Sequence, residues 1–242
     1  MSPSFSVSQV GAPRSPLISL KKGEKETQLA QSNPPPPKKN PGSSSAGGRR
    51  NPANCPQDAA APATRPFLTA LSSKTKPSFT LVERPTFLVY VPKTSAKNAE
   101  FSLRHQDGRG VYRTTVALTT TPDLLSITLP AQAPSLEVGK PYLWSFAIIC
   151  NPDDRVDDRF VTGMVQRIEL DSARLRQMQQ ASPRERVALY QKADVWYDAL
   201  ALLFQLKYSQ NDSSLSTVWR ELLQAGGVDT MIDHNSEEAR PR

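Results

Sequence analysis

The 242 residues are poor in the groups that carry most enzyme chemistry. Two histidines, His105 and His234, stand far apart, and so do the two cysteines, Cys55 and Cys150. No CxxC spacing occurs, which argues against a zinc site. A hydrolytic triad needs a nucleophile, a base and a group that orients the base. Neither histidine has a recognisable partner, and there is no GxSxG elbow. GxxxxGK[ST] and GxGxxG are also missing, which removes the common phosphate-cradling loops. No apolar run approaches the roughly 18–20 residues that cross a bilayer. Residues 1–20 lack a basic start followed by an apolar core, so on that ground alone the chain reads as cytoplasmic. The expectation is a non-enzymatic protein without a cofactor.

Charge is unevenly placed. Residues 1–76 hold 12 of the 22 prolines and 11 Lys/Arg against three acids (Glu24, Glu26, Asp58), a net of +8. Residues 77–242 hold the other 19 Lys/Arg and 20 Asp/Glu, a net of −1. A nucleic-acid-binding domain wants its basic stripe on folded structure, so no specific nucleic acid is expected. Residues 1–53 read as a disordered basic tail, because SNPPPPKKNPGSSSAGGRR cannot bury a core. Within it PPPPKK reads as a spacer, the other use of such a segment being a ligand for an aromatic groove. Residues 229–242 read as a flexible C-terminus.

From residue 79 the pattern is strand-like. PTFLVYVP (85–92) places Phe87, Val89 and Val91 on one face. AEFSLRHQ (99–106) and VYRTTVAL (111–118) flank a DGRG turn and form a hairpin. LLSITLP (124–130) alternates Leu125, Ile127 and Leu129 with Ser126 and Thr128. LEVGKPYLWSFAIIC (136–150) then puts Tyr142, Trp144, Phe146, Ile148 and Cys150 on one face, because strand period is two. Rings of that size must be core. Leu136, Gly139 and Tyr142 resemble a tyrosine corner, in which the ring hydroxyl bonds to backbone just upstream. With FVTGMVQRIEL (160–170) and a further strand near 78–81, an immunoglobulin- or fibronectin III-like antiparallel β-sandwich over residues 54–170 is expected.

After residue 170 the period becomes 3.6. Helices are expected from Asp171 or Ser172, from the SPRE capping box at 182–185, over 194–209 and over 215–225, with Gly226 as the stop. Trp196, Ala199, Leu200, Leu203 and Phe204 form one stripe, widened by Val195, Leu202 and Leu206, so that helix is expected to be covered on two sides. Residues 171–228 thus read as a small α-helical hairpin or bundle, and the whole as α+β, mainly β. Trp196 and Trp219 join Tyr142, Trp144 and Phe146 as structural core.

NPDDRVDDRF (151–160) is the one dense carboxylate cluster, with Asp153, Asp154, Asp157 and Asp158. Four such side chains can bind Ca²⁺, although the spacing is not that of an EF-hand loop. A solvated loop with local ion pairs through Arg155 and Arg159 is the simpler expectation. Cys55 and Cys150 are either two unrelated core residues or one disulfide; a bridge would imply an oxidising compartment.

Taken in order, LVERPTFLVYVPKTSAKNAEFSL, VYRTTVAL, SITLPAQAPSLEVGKPYLWSFAIIC, FVTGMVQRIEL, SPRERVALYQKADVWYDALALLFQL and WRELLQAGGV resemble the cyanobacterial domain-of-unknown-function 928 family. The resemblance covers residues 54–228. It implies an exported protein, periplasmic or secreted, a basic Gly/Arg segment (AGGRRNPANC), and a bridge between Cys55 and Cys150. It implies no catalysis. The expected role is an extracytoplasmic interaction module that binds a protein or a surface polymer. The alternatives are a calcium- or carbohydrate-related activity at the acidic loop and a cytoplasmic scaffold.

Overall fold

Alternation in the aromatic ladder is realised as β7 (Pro141–Ile148), whose residues are buried at every second position. The computed structural model describes residues 55–58, 67–209 and 213–228. The tail expected at 1–53, the C-terminus at 229–242 and His234 lie outside them. Seven further strands accompany β7: β1 (Thr69–Ala70), β2 (Phe79–Thr80), β3 (Thr86–Val91), β4 (Asn98–His105), β5 (Gly110–Ala117), β6 (Asp123–Thr128) and β8 (Arg159–Arg167). Four helices follow: α1 (Ser172–Gln180), α2 (Pro183–Lys192), α3 (Trp196–Ser209) and α4 (Ser213–Ala225). The described chain is therefore α+β and mainly β.

The strands form two sheets, one ordered β1-β3-β6 and the other β2-β8-β7-β4-β5. Every pairing is antiparallel except β2 with β8, which is parallel. The sheets face each other through aromatic rings. Phe87 of β3 lies 5.1 Å from Phe101 of β4 and 5.2 Å from Trp144 of β7, centroid to centroid. Trp144 pairs with Gly163 across the ladder, and a Cβ at that glycine would fall 2.5 Å from the indole. Only a residue without a side chain admits the ring there. The glycine bend before β7 does what its pattern suggests: Gly139 has φ +77°, and Tyr142, fully buried, accepts a 3.1 Å hydrogen bond from the Glu137 amide.

β3 departs from simple alternation. Phe87, Val89 and Val91 are buried as expected, but so are Leu88 and Tyr90 on the opposite face. The three-stranded sheet is sandwiched, with the five-stranded sheet on one side and α3 against the other. The same cover explains β6, where Leu124, opposite Tyr90, is buried and Leu125 only partly so.

Helix starts follow their capping chemistry. Asp171 accepts from the Ala173 and Arg174 amides at the head of α1. Ser182 and Glu185 form the reciprocal capping box of α2. At the end of α4 the left-handed residue is Gly227 (φ +67°) rather than Gly226, with Val228 donating back to the Leu223 carbonyl and Gly227 to that of Gln224. Gly226 has a different reason to be glycine: a Cβ there would strike the Trp196 ring.

The first turn of α3 fastens the helices to the strands. Three consecutive side chains each reach a different strand or loop. Trp196 Nε1 donates to the Leu71 carbonyl at 2.9 Å. The Tyr197 hydroxyl accepts from Trp144 Nε1 at 2.7 Å and donates to the Met164 carbonyl at 2.7 Å. Asp198 Oδ2 accepts from Thr80 Oγ1 at 2.6 Å and from the Leu81 amide at 3.2 Å. One hydrophobic cluster consequently runs from Leu68 through both sheets to Leu223 and Val228.

Candidate functional site

The residues singled out by sequence fall into three places. The first is the core, where Tyr142, Trp144, Phe146, Trp196 and Trp219 are all buried. The second is the end of β7. Cys55 and Cys150 are bridged there, with Cα atoms 5.4 Å apart. A short turn after Cys55 (Pro56–Asp58) is held in the same place, because Gln57 Nε2 donates to the Cys150 carbonyl at 2.9 Å. Asp58 accepts from the Thr94 hydroxyl at 2.5 Å and the Ser95 amide at 2.9 Å. Partial burial alone would raise the Asp58 carboxyl, but these donors outweigh it and hold the group below its ordinary value.

The acidic loop is the third. Its four carboxylates diverge. Asp154 caps a short turn (Arg155–Asp157) by accepting from the Val156 amide. Asp158 turns back to accept from the Cys150 amide at 3.2 Å and from Arg155. Arg155 also approaches Glu100 of β4 at 3.6 Å, and Asp158 holds its guanidinium above its ordinary range. Asp153 is exposed, its own amide donating to Asn151 Oδ1, and Asp157 is half-buried. Among the described residues no group of three or more His, Cys, Asp or Glu is placed to hold a metal ion. His105 stacks against Tyr142 at 5.1 Å on the hairpin side.

A further concavity lies elsewhere. A groove of about 710 Å³ lies between the helix-facing side of β3 and β6 and the helices α2 and α3. One wall carries Thr86, Ser126 and Thr128, which share a face by strand period and register. The other carries Arg186 and Tyr190 from α2 and Asp198, Leu202, Phe204 and Gln205 from α3. Burial combines with hydrogen bonding in an uneven way here. Thr86 and Thr128 satisfy each other at 2.7 Å. Arg186 donates to the Met178 and Ala181 carbonyls, and among the described residues no carboxylate pairs with it. Ser126, Tyr190 and Gln205 present polar atoms that meet no protein partner among the described residues.

Asp198 also lines the groove. Its residue keeps some surface while its carboxyl group is enclosed, and that burial pushes the group up to about 6 against the opposing effect of Thr80 and Leu81. Burial likewise raises the Tyr190 phenol, and the nearby Asp198 charge adds to the rise. The groove therefore holds one carboxyl group that changes charge near pH 6, one uncompensated guanidinium, free hydroxyl and amide groups, and two partly exposed rings. Sequence reading missed it because its walls lie some 60 to 120 positions apart in the chain. The available signal was the double-faced apolar run of β3, which calls for a cover.

No match was found among curated proteins. Among solved structures, CopC from Methylosinus trichosporium OB3b is similar at a TM-score of 0.28 and 13% identity, over 43% of this chain and 99% of that one, a likeness too slight to carry an argument. The family model described as Domain of Unknown Function (DUF928) matches residues 45–236, most of the chain and every sheet and helix among the described residues, and the protein therefore belongs to that family.

Proposed function

We propose that the chain is an exported, non-enzymatic interaction module, an immunoglobulin- or fibronectin III-like sandwich that binds a protein or a surface polymer in the groove between its small sheet and its helices. The observation that carries the reading is the groove itself. It is sized for a ligand, walled by rigid elements, and lined by unpaired polar side chains beside apolar ones. The hydrogen bond from Glu137 to the Tyr142 hydroxyl supports the sandwich assignment. The Cys55–Cys150 bridge supports export over a cytoplasmic scaffold, since such bonds persist in oxidising compartments.

The test is retention of the purified full chain on envelopes isolated from the source organism. Ala201 lines the groove, and Ala201→Arg fills it with a long charged side chain. Retention by the wild type and its loss in the variant, with an unchanged melting curve, is the expected result. Equal retention of the two proteins would refute the reading.

A further inference from the structure

We propose that the groove binds a saccharide chain, its sugar faces lying on Tyr190 and Phe204 and its hydroxyls pairing with Ser126, Gln205, Asp198 and the Tyr190 hydroxyl. This rests on the reading of the groove as the binding surface and names the ligand class. Each wall supplies a different part of sugar recognition. Aromatic rings offer apolar faces to the C–H side of a pyranose. Phe204 is braced from behind by Trp219, with centroids 6.4 Å apart, so its ring is held in place before any ligand arrives. Side chains with both donor and acceptor capacity suit hydroxyl groups, which need both. Ser126, Tyr190 and Gln205 have that capacity and no protein partner among the described residues.

Asp198 adds a charged acceptor. Thr80 and Leu81 occupy chiefly Oδ2; Oδ1 receives only a 3.4 Å contact from the Leu81 amide. Hydrogen bonds to a charged partner are the stronger kind. A peptide fits less well. Strand addition runs along a strand's edge, whereas the groove is walled by the faces of β3 and β6, so a peptide seated in it could not extend the sheet there. Apolar peptide anchors would also leave the polar lining unpaired, which is costly once water is excluded. The Arg186 guanidinium, held by two carbonyls and by no carboxylate among the described residues, favours a uronate over a neutral sugar.

Calorimetric titration of the full chain at pH 7.5 tests the proposal with tetragalacturonate as the acidic probe and cellotetraose as the neutral one. Binding of tetragalacturonate, stronger than that of cellotetraose, is expected. Gln205 is exposed, and Tyr190→Phe keeps the ring, so Gln205→Ala and Tyr190→Phe preserve the fold; each should weaken binding roughly fivefold, the loss of about one hydrogen bond. No heat with either probe, or unchanged affinity in the double variant, overturns the saccharide. The two levels of the argument separate on the envelope assay. Retention that is abolished by protease treatment of the envelope and survives removal of its polysaccharide overturns the saccharide and leaves the interaction module standing. Retention indifferent to Ala201→Arg overturns both.

Discussion

Replacing Asp198 by asparagine should stabilise the protein at neutral pH and do little in mild acid. The carboxyl group titrates near 6 in the folded chain against 3.8 unfolded. Between those values the native state holds a proton that the unfolded state has released, so stability falls as pH rises through that window. The contribution is fully present below about 3.8 and absent above about 6. The full swing is about 3 kcal/mol, at roughly 1.36 kcal/mol per unit. Asparagine has the same shape and no charge. Its carbonyl can take the place of Oδ2 and accept from Thr80 and Leu81, with its amide turned to the groove. A neutral acceptor is weaker than a carboxylate by about 1 kcal/mol. The net expectation at pH 7.5 is a gain of about 1–2 kcal/mol, or roughly 3–6 °C in Tm for a chain of this size. At pH 4.5 the gain should vanish.

Two carboxylates act in the opposite direction toward the acid end. Hydrogen bonds from Ser182 lower Glu185, and those from the Arg174 and Ala173 amides lower Asp171; both groups favour folding at higher pH. The informative quantity is therefore the difference between variant and wild type, followed by circular dichroism melting from pH 4 to 8. The Tyr190 phenol, which faces Asp198 from α2, is raised by burial and so stays neutral throughout. A variant destabilised at pH 7.5, or shifted equally at both ends, would refute the assignment of an enclosed, weakly acidic carboxyl.

Gly163→Ala should cost about 2–3 kcal/mol in urea unfolding, because the added methyl meets at 2.5 Å a Trp144 indole that is fully buried and in ring contact with Phe87. Tyr197→Phe removes an acceptor from Trp144 Nε1 and a donor from the Met164 carbonyl, both buried; a loss of about 2–4 kcal/mol with a change in tryptophan emission is expected. Reducing the Cys55–Cys150 bridge opens a loop spanning 95 positions and should lower stability by roughly 4–5 kcal/mol on the chain-entropy account. A Cys55→Ser, Cys150→Ser double variant should match the reduced protein and ignore dithiothreitol.

Local chemistry was legible and distant assembly was not. The ladder from Tyr142 to Ile148, the Asp107–Gly110 hairpin and the Ser182 capping box each depend on neighbours within a few residues, and each stands where its pattern places it. β1 is two residues long and carries no periodicity, so its pairing with Tyr90 and Val89 had no signal. The parallel addition of β2 to β8 joins positions nearly 90 apart. Tyr197 was passed over in favour of the stripe beside it. Val195, Trp196 and Tyr197 are consecutive and all buried, which no single helical face permits. Such a cluster at a helix start means that the turn is inserted among other elements, and the sequence shows that it is enclosed without showing by what.

The bond between the Trp144 indole and the Tyr197 phenol has a consequence for how this protein can be cut or recombined. Severing the chain after β8 would take the Tyr197 acceptor from a buried indole donor, and would strip the cover from Leu88 and Tyr90. Strands and helices must therefore be inherited, expressed and exchanged together, as one transplantable piece.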